Sequence, residues 1–151
     1  MYMHVMKSLT DREMFRHMGR ECFAFRVRRA SRVVTRTYDR ALADAGLTAS
    51  QLSLLSAVTN RPDMRMVELA DFLGIEASTL SRSLSALVKK KWLRQSPSSD
   101  KRERFFELTD AGRDVVRVAF DKWRLAQAEV DRIVGGDRFR FIAMLDHLAG
   151  A

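Results

Sequence analysis

The chain has 151 residues, of which 46% are hydrophobic and 30% charged, a composition that fits one folded domain and excludes a disordered tail or a membrane span. Its 27 basic and 19 acidic side chains give a formal charge of +8, which points to a polyanion, either nucleic acid or an acidic membrane surface. The single cysteine, Cys22, excludes an intrachain disulfide and any zinc site built from several cysteines, and His4, His17 and His147 lack metal-ligand spacing.

Residues 1–60 carry ten basic and five acidic groups, residues 61–109 ten and seven, and residues 110–151 seven of each. The basic excess therefore lies in the first two-thirds. Met1 to Lys7 shows no apolar leader core and no small-residue cleavage site. No apolar run approaches the roughly 20 residues of a membrane span. The expectation is a cytoplasmic protein with no membrane partner, no metal and no cofactor.

From about Asp11 to Ala45 the pattern predicts one long helix. Phe15, Met18, Cys22 and Phe25 recur at helical spacing, and Arg28, Arg32, Arg36 and Arg40 stripe another face. Gly46 ends it. Thr48 with Gln51 three residues on reads as a capping box for a second helix, which buries Leu52, Leu55 and Val58 and stops at Arg61-Pro62-Asp63. A short helix over Val67–Leu73 turns Leu69, Ala70 and Leu73 inward; Arg65 and Met66 are poor caps for it. After the Gly74 turn, a helix over 77–91 turns Leu80, Leu84, Leu87 and Val88 inward.

Two strands follow, about 92–95 and 104–108, joined by a polar turn. Thr109 caps a helix over 110–134. In it Val116, Ala119, Trp123, Ala126, Val130 and Ile133 repeat at steps of three and four, a seam able to face another helix. The last helix, 137–149, carries Phe139, Phe141, Ile142, Leu145 and Leu148 around more than half its circumference. So much apolar surface wants cover. With the seam, it predicts a homodimer.

The middle block reads as a functional unit. A short helix, a glycine turn and a second helix make a helix-turn-helix, whose second helix enters a major groove by its first turn. That turn holds Ser78, Thr79, Ser81 and Arg82. Small hydroxyls allow close approach, and an arginine reaches guanine O6 and N7 in a bidentate contact. The hairpin is then a wing. Lys101, Arg102 and Arg104 at its tip suit phosphates or a narrow minor groove. Asp100 among them weakens nonspecific attraction, so its expected role is to orient a neighbouring arginine. A bare helix-turn-helix pattern also occurs in proteins that bind no DNA, which keeps a protein-interaction module open. No G-x-S-x-G, P-loop, dinucleotide fingerprint or histidine–carboxylate cluster points to an enzyme.

The residues resemble the MarR (multiple antibiotic resistance regulator) family of transcription regulators over nearly the whole chain. Asp100-Lys101-Arg102-Glu103-Arg104, followed by Leu108-Thr109-Asp110-Ala111-Gly112-Arg113, is similar to the family's wing signature. Glu68-Leu69-Ala70 through Ser78-Thr79-Leu80-Ser81-Arg82 is similar to its helix-turn-helix, and Leu47 to Leu52 to the start of the helix before it. Glu76 departs from the family, where a better helix cap is common. The resemblance implies a mainly α chain with a small β-hairpin wing. It is one domain over 1–151, with a winged helix-turn-helix lobe over about 48–108 and interlocking dimerisation helices over about 11–45 and 110–149. It implies a repressor of double-stranded DNA at a pseudo-palindromic operator, with Arg102 in the minor groove, Asp100 positioning it, and a small aromatic or anionic effector.

Cys22 stays open between three readings. It shares a stripe with Phe15, Met18 and Phe25, so it packs as a small hydrophobe. Some members of the family sense oxidants through an N-terminal cysteine, and nearby arginines such as Arg26 favour a thiolate. Yet Arg26 and Arg36 stand where that branch has tyrosines. The third reading lines an effector pocket, with Arg26 and Arg29 as counterions.

Overall fold

A computed structural model describes residues 9–96 and 104–150. Among them the elements run α1 (Asp11–Glu21), α2 (Phe23–Leu42), a short 3-10 turn (Ala43–Ala45), α3 (Ala49–Asn60), α4 (Met66–Leu73), α5 (Ala77–Lys89), β1 (Leu93–Ser96), β2 (Phe105–Leu108), α6 (Asp110–Val134) and α7 (Arg138–Ala149). The chain divides into two compact units after Val34, within α2. No single helix among the described residues is long and apolar enough to cross a membrane.

In the first unit, the expected single helix over 11–45 is interrupted. Cys22 leaves the helical conformation at φ −68, ψ 110. An unbroken helix would satisfy the Arg20 carbonyl with the Ala24 N–H and the Glu21 carbonyl with the Phe25 N–H. Here the Arg26 guanidinium takes the Arg20 carbonyl. The Cys22 Sγ accepts the Phe25 N–H at 3.5 Å. Two side chains re-partner the opened backbone, and apolar periodicity does not register them. At the front, Thr10 and Glu13 form a reciprocal capping box on α1. The Thr10 N–H foremost, and the Thr10 hydroxyl beside it, donate to the Glu13 carboxylate and hold it below the usual carboxylate range. Phe15, Met18, Phe23 and Phe25 are all exposed.

The second unit holds the core. Leu42, Leu55, Leu80, Leu84, Leu87 and Leu93 are its largest fully buried side chains, each stabilising by about 1.5–3 kcal/mol relative to exposure. Helix α3 starts as expected, Thr48 accepting the Gln51 N–H at 3.2 Å and Gln51 accepting the Thr48 N–H at 3.1 Å. Asp39 adds a second acceptor, taking the Ala49 N–H at 2.7 Å. Helix α4 begins one residue earlier than expected and does have a cap. Arg65 offers no acceptor, but Glu68 reaches back to its N–H at 2.9 Å and to its guanidinium at 2.6 Å. Those bonds, the side-chain one foremost, hold the Glu68 carboxyl below its usual range.

Helix α5 ends at Lys89 rather than 91, and Val88 is exposed rather than inward. Lys91 then takes φ 61, the left-handed position where glycine is usual. Its N–H reaches the Val88 carbonyl at 2.9 Å and the Trp92 N–H reaches Leu87 at 3.0 Å, the bond pair of a Schellman ending. The strands pair antiparallel from Leu93 opposite Leu108 to Ser96 opposite Phe105. Arg94 and Glu107 face each other across them at 2.7 Å.

Helix α6 has the expected bounds. Ala119 and Ala126, one heptad apart, are buried, and Val116 and Trp123 pack beside the core. Ile133, expected on the same seam, is 72% exposed. In α7 no residue is buried, and Phe139, Met144 and Leu148 are each more than 60% exposed. A polar chain joins this end of the unit. Tyr38 donates to Gln127 at 2.6 Å, Gln127 to Asp131 at 3.4 Å, and Arg138 to the other Asp131 oxygen at 2.8 Å. Burial, then the Asp131 charge, raises the Tyr38 pKa, so its hydroxyl keeps the proton it donates.

Candidate nucleic-acid interface

Helix α4, Gly74 and α5 form the expected helix-turn-helix. Gly74 adopts φ 63, and its neighbour Ile75 donates to the Ala70 carbonyl at 3.0 Å, closing α4 sharply. Glu76 precedes α5 and makes no side-chain cap bond, in line with its departure from the family pattern. One side of α5 is anchored by Leu80, Leu84 and Leu87, all at or below 1% exposure. The opposite side is therefore held rigidly toward solvent.

Ser78, Thr79, Ser81 and Arg82 all lie on that exposed side. The Arg82 Nη2 donates to Thr79 Oγ1 at 3.3 Å, which steers the guanidinium along the helix surface and leaves its other donors outward. Ser85 is a further exposed member that the sequence reading passed over. Its hydroxyl donates to the Ser81 carbonyl at 2.8 Å, so its oxygen faces out as an acceptor. The signal was present: Ser78, Ser81, Arg82 and Ser85 stand at i, i+3, i+4 and i+7, one helical stripe.

The wing is described in part. Arg104 is exposed and stands immediately before β2. Asp100, Lys101 and Arg102 lie outside the described residues. At the base of the hairpin, Glu107 neutralises Arg94. The Lys90 ammonium sits 4.2 Å from the centre of the Trp92 ring, a cation–π contact that ties this lysine to the protein. Lys89 and Lys91 are exposed at the end of α5.

Cys22 and Arg26 belong to the first unit. Cys22 is exposed rather than packed in the single chain. Arg26 donates from Nε and Nη2 to the Arg20 carbonyl, so those donors bridge the helix break instead of facing a ligand.

What this arrangement does chemically is present hydroxyls and one braced guanidinium from an anchored helix, with the exposed Arg104 on the hairpin that follows. That is equipment for reading base edges and phosphates.

Comparison with known proteins agrees with the geometry. The model of the MarR family matches residues 45–103. A curated relative, the uncharacterized HTH-type transcriptional regulator YwoH of Bacillus subtilis (strain 168), is 28% identical over 83 residues, 55% of this chain and 61% of that protein. The chain thus matches less than two-thirds of that relative's length. The M. tuberculosis transcriptional regulator MosR, crystallised in complex with DNA, is 37% identical, with 86% of this chain and 97% of that one covered at a TM-score of 0.73. The transcriptional repressor CouR, bound to a 23-mer DNA duplex, is 26% identical, with 87% and 95% covered at a TM-score of 0.77.

Proposed function

Because this chain belongs to the MarR family of transcription regulators, we propose that it is a sequence-specific repressor. It acts in the cytoplasm as a homodimer on a pseudo-palindromic DNA operator and is released by a small aromatic or anionic effector. The observation that carries the DNA reading is the exposed stripe Ser78, Ser81, Arg82 and Ser85, held outward by the buried leucines of α5. Arg82 reads a base edge; Ser78, Thr79 and Ser81 bond bases or phosphates. Lys101, Arg102 and Arg104 take the backbone or the minor groove beside the major-groove helix, with Asp100 orienting Arg102. The apolar α7, bare in the single chain, is the surface a second copy covers.

The test is footprinting across the gene's upstream region, followed by binding to operators carrying single base changes. Arg82→Ala is expected to cost about 1–3 kcal/mol at one base pair and to relax preference there. Equal loss for every operator variant would place Arg82 on phosphate. Wild-type affinity is expected to fall steeply with salt as counterions are released.

A second reading is favoured by one observation, the Cys22 Sγ at the start of α2 accepting the Phe25 N–H. Peptide N–H groups at a helix start favour negative charge, and the sulfur is exposed. On this reading the regulator responds to peroxide through Cys22. Peroxide should then release the wild type from its operator and leave Cys22→Ser bound. Equal release of both excludes it.

A further inference from the structure

The joint between α5 and α6 is built around one hydroxyl. Thr109 accepts the Gly112 N–H at 3.0 Å and so caps α6. The same hydroxyl donates to the Lys91 carbonyl at 2.5 Å, with the Trp92 carbonyl a further 3.3 Å contact. The Thr109 N–H donates to Trp92 at 3.1 Å. Lys91 is the left-handed residue that terminates α5. One side chain therefore fastens the end of the exposed-stripe helix to the beginning of the long seam helix.

We infer that Thr109 is a positioning residue for DNA recognition: its hydroxyl locks the angle of α5 against α6 and thereby sets the separation of the two α5 helices in a dimer. This rests on the DNA-binding homodimer proposed above. A helix held before binding loses less freedom on docking, which favours the site with matching geometry. The hydrophobic contacts of Leu84 and Leu87 hold α5 against the core but are not directional. The hydroxyl bond is directional, so it fixes the angle that packing leaves soft.

Substitutions can split the two jobs of this hydroxyl. Thr109→Ser keeps both bonds. Thr109→Asp keeps an acceptor for the Gly112 N–H, yet it has no proton for Lys91 and sets a carboxylate beside two carbonyl oxygens. Duplexes selected from a random pool by the wild type would be compared with versions carrying one base pair more or fewer between half-sites. The wild type and Thr109→Ser are expected to discriminate sharply. In Thr109→Asp the ratio between matched and altered spacing should fall by about tenfold, the worth of one hydrogen bond, at similar nonspecific affinity and with a melting temperature lower by about 2–4 °C. An unchanged ratio, or an equal loss on all duplexes, overturns the inference. Amide exchange in the free protein tests the latch separately. The Lys91 and Trp92 amides should exchange faster in Thr109→Asp and not in Thr109→Ser; unchanged exchange rejects the latch whatever the DNA result. A wild type that selects no duplex, with the exchange difference intact, would instead reject the DNA reading.

Discussion

Gly112→Ala is expected to lower the unfolding free energy by about 3 kcal/mol or more, at the upper end of overpacking substitutions. A Cβ at Gly112 would stand 2.1 Å from the Trp92 carbonyl oxygen and 2.9 Å from Leu108 Cδ2. The leucine methyl ends a flexible side chain; the carbonyl is backbone and is held in place, because it accepts the Thr109 N–H. Relief requires the first turn of α6 to move off the end of α5. That movement opens the Thr109 cap and uncovers Leu93, which is 1% exposed. Gly112 is not needed for a positive φ; it is needed for close approach alone, so no small side chain rescues it. Denaturant titration would show the lowered midpoint, and a midpoint equal to wild type would mean that the joint is looser than its geometry.

The paired substitution Met144→Asp and Leu148→Asp is expected to leave the fold intact and to remove operator binding. The two positions stand one helical turn apart on α7, and both are more than 60% exposed in the single chain, so the monomer loses little. A dimer would bring two carboxylates per copy into its interface without partners, which is costly. The expected product is a 17 kDa species by sedimentation at micromolar concentration. Its operator affinity should fall by about a hundredfold or more, since a second half-site contact that was intramolecular becomes a separate binding event. Wild-type protein sedimenting only as monomer, or a monomeric variant with full operator affinity, would refute the homodimer.

Much of this fold was legible because its signals are local. Helix α6 was bounded correctly by Thr109 in front and Gly135 behind, a cap and a left-handed stop. The capping box of α3 and the leucines of α5 were equally plain. Two of the differences share a cause: side chains doing the work of backbone. Nothing in the apolar spacing around Cys22 marks a break that depends on Arg26 and a sulfur. The start of α4 was hidden because its cap comes from Glu68, inside the helix, rather than from the residue before it. The end of α5 falls two residues before the expected one because a lysine, not a glycine, occupies the left-handed turn. In the candidate interface, residue types in α5 are readable, but the brace from Thr79 to Arg82 and the outward oxygen of Ser85 depend on rotamers that residue types do not carry.

The chain of bonds from Tyr38 through Gln127 and Asp131 to Arg138 has a consequence for how the helix ends assemble. Greasy faces such as those of α6 and α7 tolerate sliding, since one methyl serves nearly as well as the next and a shift by a helical turn loses little. A phenol, an amide, a carboxylate and a guanidinium do not tolerate it; each has one complement within reach. These four groups act as an indexing pin. Within the second unit they hold the end of α2, from Thr35 on, in one registration with α6 and α7, and any assembly built on the exposed face of α7 inherits that alignment.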